Sequence, residues 1–296
     1  MKNAFGLNRY EPKDIFTDDK VVQSLKMMLD AWLSYLGVKN INEVRNRTIN
    51  SFRNYSVKTG LIDEELRKYY QQKGIIDSIK KNLQQRADWI YCLVQRHING
   101  NVIDVGCGPG EIAQKLADRK KMKVQLTDVA DIPLRKKFAP NLPFYHAKEG
   151  EKLPFKENQF DSGLLITVMH HSNNPFFLLD ELKRTARGNI AIIESVYGID
   201  IKQSPSDEVR KYPMMYKGFH ALDEEQQRKY GTFLDWFLNK MILGNEINCP
   251  YNFTTPENWE KIFDEKGFEL VHKQMLGIDQ PVTPEYHVLY IIKKKN

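Results

Sequence analysis

Residues Asn101-Val102-Ile103-Asp104-Val105-Gly106-Cys107-Gly108-Pro109-Gly110-Glu111 run from a short apolar strand into a turn with glycine at every second position. Val102, Ile103 and Val105 make the strand apolar on both faces, as a central strand of a covered parallel sheet must be. The exit from such a strand calls for glycine. Gly106 supplies a positive φ, and Gly108 lacks the Cβ that would keep a ligand away from the main chain. Pro109 suits the turn or a first helical position, and Ile112, Leu116 and Ala117 give the next helix an apolar face. The pattern is acid-x-Gly-x-Gly-x-Gly. A dinucleotide fingerprint would put its last glycine where this chain has Glu111; here it falls at Gly110, and Asp104 stands two residues before the turn. That departure points away from a pyrophosphate ligand, while the amides at the helix N-terminus favour a carboxylate. The plain alternative is an ordinary strand-to-helix turn, and context decides between them.

The turn resembles the first motif of the class I S-adenosylmethionine-dependent methyltransferases, and later segments fall where that family has its own. Val124-Gln125-Leu126-Thr127-Asp128 reads as a second strand ending in an acid 20 positions after Gly108. At that spacing a nucleotide-binding fold offers a carboxylate to the ribose hydroxyls, for adenosylmethionine and NAD alike. Glu149-Gly150-Glu151-Lys152-Leu153-Pro154-Phe155 and Phe160-Asp161 resemble the family's acid, Leu-Pro-Phe and Phe-Asp pattern. The resemblance implies that Glu149 sits near the adenine amino group, as Glu where Asp is usual. Gly163 to His171 reads as a buried strand four, Phe176 to Arg187 as a helix with Leu178, Leu179 and Leu182 inward, and Asn189 to Glu194 as strand five. Thr255-Pro256-Glu257 opens a helix carrying Trp259 and Phe263, and Gly267–Val271 and His287–Ile292 are the closing strands. The expected fold is α/β, a doubly wound, mostly parallel seven-stranded sheet of the Rossmann-like methyltransferase type with an antiparallel seventh strand. An N-terminal helical region and a helical insertion after strand five complete it. The resemblance covers about residues 86–199 and 254–293 and is nearest to the type 11 branch, which includes the ubiquinone and menaquinone C-methyltransferases. It implies S-adenosylmethionine as cofactor, S-adenosylhomocysteine as product, and a cofactor set of Asp104, Gly106, Cys107, Gly108, Gly110, Asp128, Val129, Glu149, Gly150 and Thr167.

Composition removes several other classes. The 296 residues suffice for one large core with an attached helical region. No apolar run approaches the ~20 residues of a membrane span, and Met1 to Asp14 lacks a signal-peptide core, so the cytoplasm is the expected compartment. Cys92, Cys107 and Cys249 are too scattered for a disulfide framework or zinc cage, and Cys107 reads as a small side chain in the turn. The formal charge of +6 comes with basic clusters at 119–121, 135–137 and 293–295. These lack interleaved aromatics and read as solvated faces rather than a nucleic-acid surface. Sulfonium chemistry requires no metal. His170 and His171, read as neighbours on a strand, point to opposite faces and do not chelate one ion together.

Choice of acceptor is expected outside the shared core, with residues 1–85 as an N-terminal helical region and 86–296 as the methyltransferase core. In the first, Val21, Val22, Leu25, Met28, Leu29, Trp32, Leu33 and Leu36 trace one helical face, and Leu66 to Val94 adds one or two helices. A lid, plain support and a dimer contact all fit this region; resemblance brings a tyrosine, here Tyr70, towards the cofactor. The insertion, about 200–253, is dense in aromatics and is expected to cap the acceptor pocket, with Phe233, Trp236 and Phe237 as substrate contacts; its alternative is a satellite core. His170, at the carboxyl end of strand four, is the candidate general base. The leading expectation is methyl transfer to a small, partly apolar or aromatic acceptor. The alternatives are a methyltransferase acting on RNA or a peptide, and a non-catalytic nucleotide-binding or assembly module. The oligomeric state is not legible.

Overall fold

The computed structural model describes residues 2–55, 64–72, 74–242, 248–280 and 283–295. In chain order its helices are α1 (Pro12–Phe16), α2 (Asp19–Tyr35), α3 (Ile41–Asn54), α4 (Glu64–Gln72), α5 (Ile75–Val94), α6 (Glu111–Lys120), α7 (Pro133–Phe138), α8 (Pro175–Thr185), α9 (Ser206–Lys211), α10 (Pro213–His220), α11 (Glu224–Trp236) and α12 (Pro256–Glu265). The strands are β1 (Asn101–Val105), β2 (Lys123–Asp128), β3 (Phe144–His146), β4 (Ser162–Ile166), β5 (Asn189–Ser195), β6 (Phe268–Gln280) and β7 (Thr283–Lys294). Two compact units result. The first gathers Met1–Asn82, Ser195–Pro256 and Met275–His287; the second gathers Leu83–Glu194, Glu257–Gln274 and Val288–Asn296. The insertion after β5 therefore shares a unit with the N-terminal helices, where the sequence reading had grouped it with the core.

The sheet has the order β3-β2-β1-β4-β5-β7-β6, and β3 through β5 run parallel. β1 lies between β2 and β4, with Val102 opposite both Val124 and Ser162, and every residue after Asn101 is buried. The chain winds outwards in both directions from β1, so the ligand crevice of such a sheet lies at the carboxyl ends of β1 and β4. Parallel pairing brings Gly106, Asp128 and Thr167, which follow or end β1, β2 and β4, to that same edge. β4 is shorter than its apolar run. Thr167 adopts a left-handed φ of 54°, uncommon for a β-branched residue, and the chain leaves the strand there. Met169–His171 then forms a 3₁₀ turn, so His170 and His171 are not strand residues as the sequence had suggested.

In the first unit, Asp18 caps α2 by accepting from the Val21 amide, and Val21, Leu25, Met28, Leu29, Trp32 and Leu33 bury one face. The Ser24 hydroxyl donates to the Gly218 carbonyl at 2.9 Å and ties α2 to α10. α11 opens with a capping box between Asp223 and Gln226. Among the described residues, no helix is long and apolar enough to cross a membrane.

Candidate functional site

The glycine turn at the end of β1 is built by three left-handed glycines, Gly106 (φ 70°), Gly108 (φ 50°) and Gly110 (φ 75°). They do different work. A Cβ on Gly106 would stand 2.5 Å from a Val168 methyl, and one on Gly110 would stand 2.8 Å from the Ala139 Cβ. These two permit close packing. A Cβ on Gly108 would meet nothing within 4 Å, so the backbone there fronts open space. The amides of Gly106 and Cys107 both donate to the Thr127 carbonyl, which fixes the turn against the end of β2. Burial pushes the Cys107 thiol far above its ordinary range, and it stays neutral.

Two of the acids expected for the cofactor, Asp128 and Asp104, stand at this turn. Asp128 accepts from the Gly108 amide at 2.8 Å and from the Ala130 amide at 3.0 Å, so the carboxylate braces the turn it faces. Burial raises its pKa in spite of these bonds. Asp104 is buried, and burial first, then the charge of Asp128, raises its pKa to about 7. Two neighbouring carboxylates held against their preference make a field that welcomes a cation. Val129, directly after Asp128, is 58% exposed and offers an apolar surface beside that carboxylate. Glu149 accepts from both the backbone amide (2.7 Å) and the side-chain amide (2.9 Å) of Asn173, and so joins its loop to the entry of α8. Gly150 has φ 76° with open space at its Cβ position. The Thr167 amide donates to the Ile193 carbonyl, and its hydroxyl to that of Ile166.

The turn after β4 is organised by a residue that the sequence reading gave no role. Glu194, fully buried at the end of β5, accepts from the Val168 amide at 2.9 Å and the Met169 amide at 2.7 Å through one oxygen. Its other oxygen lies 2.6 Å from His170 Nδ1. The signal was present in the sequence as a lone carboxylate closing the apolar run Ile190-Ala191-Ile192-Ile193. The rings of His170 and His171 lie 4.0 Å apart, centroid to centroid, which corrects the opposite-faces reading. Adjacent side chains point to opposite faces of a strand but lie only about 120° apart on a 3₁₀ turn. Glu181 and Arg184 were likewise missed. Glu181 accepts from the Leu153 amide at 2.7 Å, and Arg184 donates to the carbonyls of Leu153 and Phe155, so α8 orders the Leu-Pro-Phe segment.

The aromatic residues expected to touch substrate lie in the first unit. Phe233, Trp236 and Phe237 are buried, with Phe52 5.0 Å from Phe233 and 4.6 Å from Trp236, and Trp32 5.1 Å from Phe237, by ring centroids. Tyr70 is buried in the same cluster, its hydroxyl 2.7 Å from that of Thr48.

Comparison with known proteins bears on the second unit above all. Residues 103–193 match the methyltransferase domain family. The tRNA U34 carboxymethyltransferase of Hahella chejuensis is 30% identical over 122 residues, covering 38% of this chain and 38% of the relative. The mitochondrial arginine-hydroxylase NDUFAF5 of Danio rerio is 29% identical over 155 residues, covering 52% of this chain and 44% of the relative. The chain thus spans less than half the length of these relatives. Among solved structures, a chain from the Haloferax volcanii complex between the Trm112 methyltransferase activator and a methyltransferase superposes with a TM-score of 0.50 at 12% identity, covering 78% of this chain and 98% of that one. Residues 103–193 thus match a methyltransferase domain, and the sheet order and glycine turn around them are those of the Rossmann-like methyltransferase fold.

Proposed function

We propose that the chain transfers a methyl group from S-adenosylmethionine to a small, partly apolar or aromatic acceptor. The observation that carries the cofactor is Gly108. Its main chain fronts open space where a side chain would intrude, with Asp128 fixed on its amide and Asp104 buried behind. The donor set fits the cofactor in every part. Asp128 suits the ribose hydroxyls, exposed Val129 the adenine face, Glu149 the adenine amino group, and the paired acids the positive charge of the methionine portion. Bound adenosylmethionine supplies a sulfonium methyl that is already electrophilic, so the protein's task is to align a nucleophile and manage its proton. We assign the proton to His170. With Glu194 accepting from Nδ1, the neutral ring carries its lone pair on Nε2, the tautomer a general base needs. His170→Ala is expected to lower turnover by about 10²- to 10⁴-fold with cofactor affinity preserved. We assign acceptor choice to the first unit, whose insertion is aromatic-rich.

Calorimetry with S-adenosylhomocysteine tests the cofactor: the parent chain binds, and Gly108→Val, which fills the open space, does not. Retained binding in the variant would make the turn purely structural. Incubation with methyl-labelled adenosylmethionine and cell extract, separated into small-molecule, protein and RNA fractions, tests the acceptor. Label in the small-molecule fraction is the expected result. Label in RNA would favour the reaction class named for the Hahella chejuensis relative, and cofactor binding without label would favour a non-catalytic module.

A further inference from the structure

The two edges of the sheet are finished differently. At one end β3 is only 3 residues long, too short to offer a template, whereas at the other end β6 runs for 13 residues. Its stretch 268–274, in the second unit, lacks the usual guards of an exposed edge. It contains no proline, and its one lysine, Lys273, is drawn onto α12 by an ion pair with Glu260 rather than held out as a charge at the rim. Leu270 and Val271 project to opposite faces of the strand, yet they are 39% and 51% exposed, so apolar surface is bare on both faces. The backbone is open as well. The Gly267 carbonyl accepts from the Lys295 amide, on the β7 side. By the alternation of an extended strand, the amides and carbonyls of Phe268, Leu270, His272 and Gln274 then face the free side of β6.

The sequence of this edge is complementary to itself. An antiparallel copy of 268–274, laid alongside with Val271 on the twofold axis, sets Leu270 opposite His272 of the second copy as a hydrogen-bonded pair, which is the pairing the outward-facing groups require. In the same register Glu269 stands opposite Lys273 of the second copy, once on each side of the axis. These are non-hydrogen-bonded pairs, whose Cα atoms approach to about 4.5 Å and whose side chains interact most closely. Glu269 is exposed and makes no ion pair among the described residues, so it is free to take a cation. Moving the axis to Leu270 or His272 would keep the ladder but break both charge pairs. We propose that β6 pairs with β6 of a second copy of this chain, antiparallel about Val271, and joins two sheets edge to edge. A short ladder buries little area, so the dimer should be weak, with a Kd of about 10–100 µM.

Sedimentation velocity of the full chain over ~5–300 µM should show a reversible monomer–dimer equilibrium in that range. Val271→Lys places two ammonium groups at the axis and should leave monomer at every concentration. Glu269→Lys and Lys273→Glu should each be monomeric alone, because each sets like charges opposite one another. An equimolar mixture of the two should dimerise again, since every crossed pair then joins opposite charges. Glu269 and Val271 are exposed and Lys273 is partly so, and all three variants should melt near the parent's temperature. A parent chain that stays monomeric throughout overturns the proposal, as does a dimer that Val271→Lys leaves intact. Failure of the mixture to dimerise overturns the register about Val271 and the proposal with it.

Discussion

Asp104 is buried at the end of β1 with a pKa of about 7, against 3.8 for an ordinary aspartate. Between these values the folded chain holds a proton that the unfolded chain has released. The stability this contributes is therefore complete below pH ~4 and lost as the pH rises through about 7. A shift of this size corresponds to at most about 4 kcal/mol. Asp104→Asn cannot ionise, so its melting temperature relative to the parent should climb from pH 5 to pH 8. A difference that stays constant over that range would mean that Asp104 ionises freely in the fold. The same residue shows what a sequence can reveal at this scale. The acid's place before the glycine turn was legible because the motif is local, whereas its coupling to Asp128 depends on β1 and β2 pairing in register. Likewise the division of labour among Gly106, Gly108 and Gly110 could not be read from their spacing, since it is set by Val168 and Ala139.

At the scale of the element, the turn after β4 stands on one carboxylate. Glu194→Ala would strip the partner from two backbone amides and the His170 imidazole in a dry interior, at a cost of about 3–5 kcal/mol in denaturant unfolding. Glu194→Gln should cost much less, because its carbonyl oxygen still serves the amides. Its amide nitrogen would then face Nδ1 as a donor and move the ring proton to Nε2, so turnover and its pH profile should change while cofactor affinity holds. An unchanged pH profile would leave Glu194 a purely structural anchor. Sequence pattern ran β4 too far because Val168 and Met169 continue its apolar character; the break at Thr167 is a backbone event that hydrophobic periodicity does not record. In α11 the sequence showed a density of aromatic residues, but not what each of them meets. Trp236 sits among Phe52, Tyr55 and Phe233, so Trp236→Ala should destabilise the chain by about 3–5 kcal/mol in urea titrations. A selective loss of acceptor turnover at native stability would instead make this ring a substrate contact.

At the scale of the whole molecule, the chain interleaves two units, and the N-terminal region is not an appendage. Residues 1–82 supply α2 and α3, whose Trp32 and Phe52 complete the aromatic cluster of Phe233, Trp236 and Phe237. Ser24 on α2 binds the Gly218 carbonyl of α10, and Asp18 meets Lys229 and Gln226 of α11. Periodicity within each helix was legible from the sequence, but the pairing of segments some 200 positions apart was not, because nothing local encodes it. This arrangement separates a detachable lid from a shared core. A lid can be removed and leave a folded, cofactor-binding protein. Deleting residues 1–82 here would expose the buried faces of α10 and α11 and leave the Gly218 carbonyl without its hydroxyl partner. The truncated chain should therefore aggregate or bind a hydrophobic dye strongly, and its melt should lose cooperativity. A soluble truncated chain with a sharp melt and parental affinity for S-adenosylhomocysteine would show that residues 195–256 hold together without the N-terminal helices, and that the first unit is two bodies rather than one.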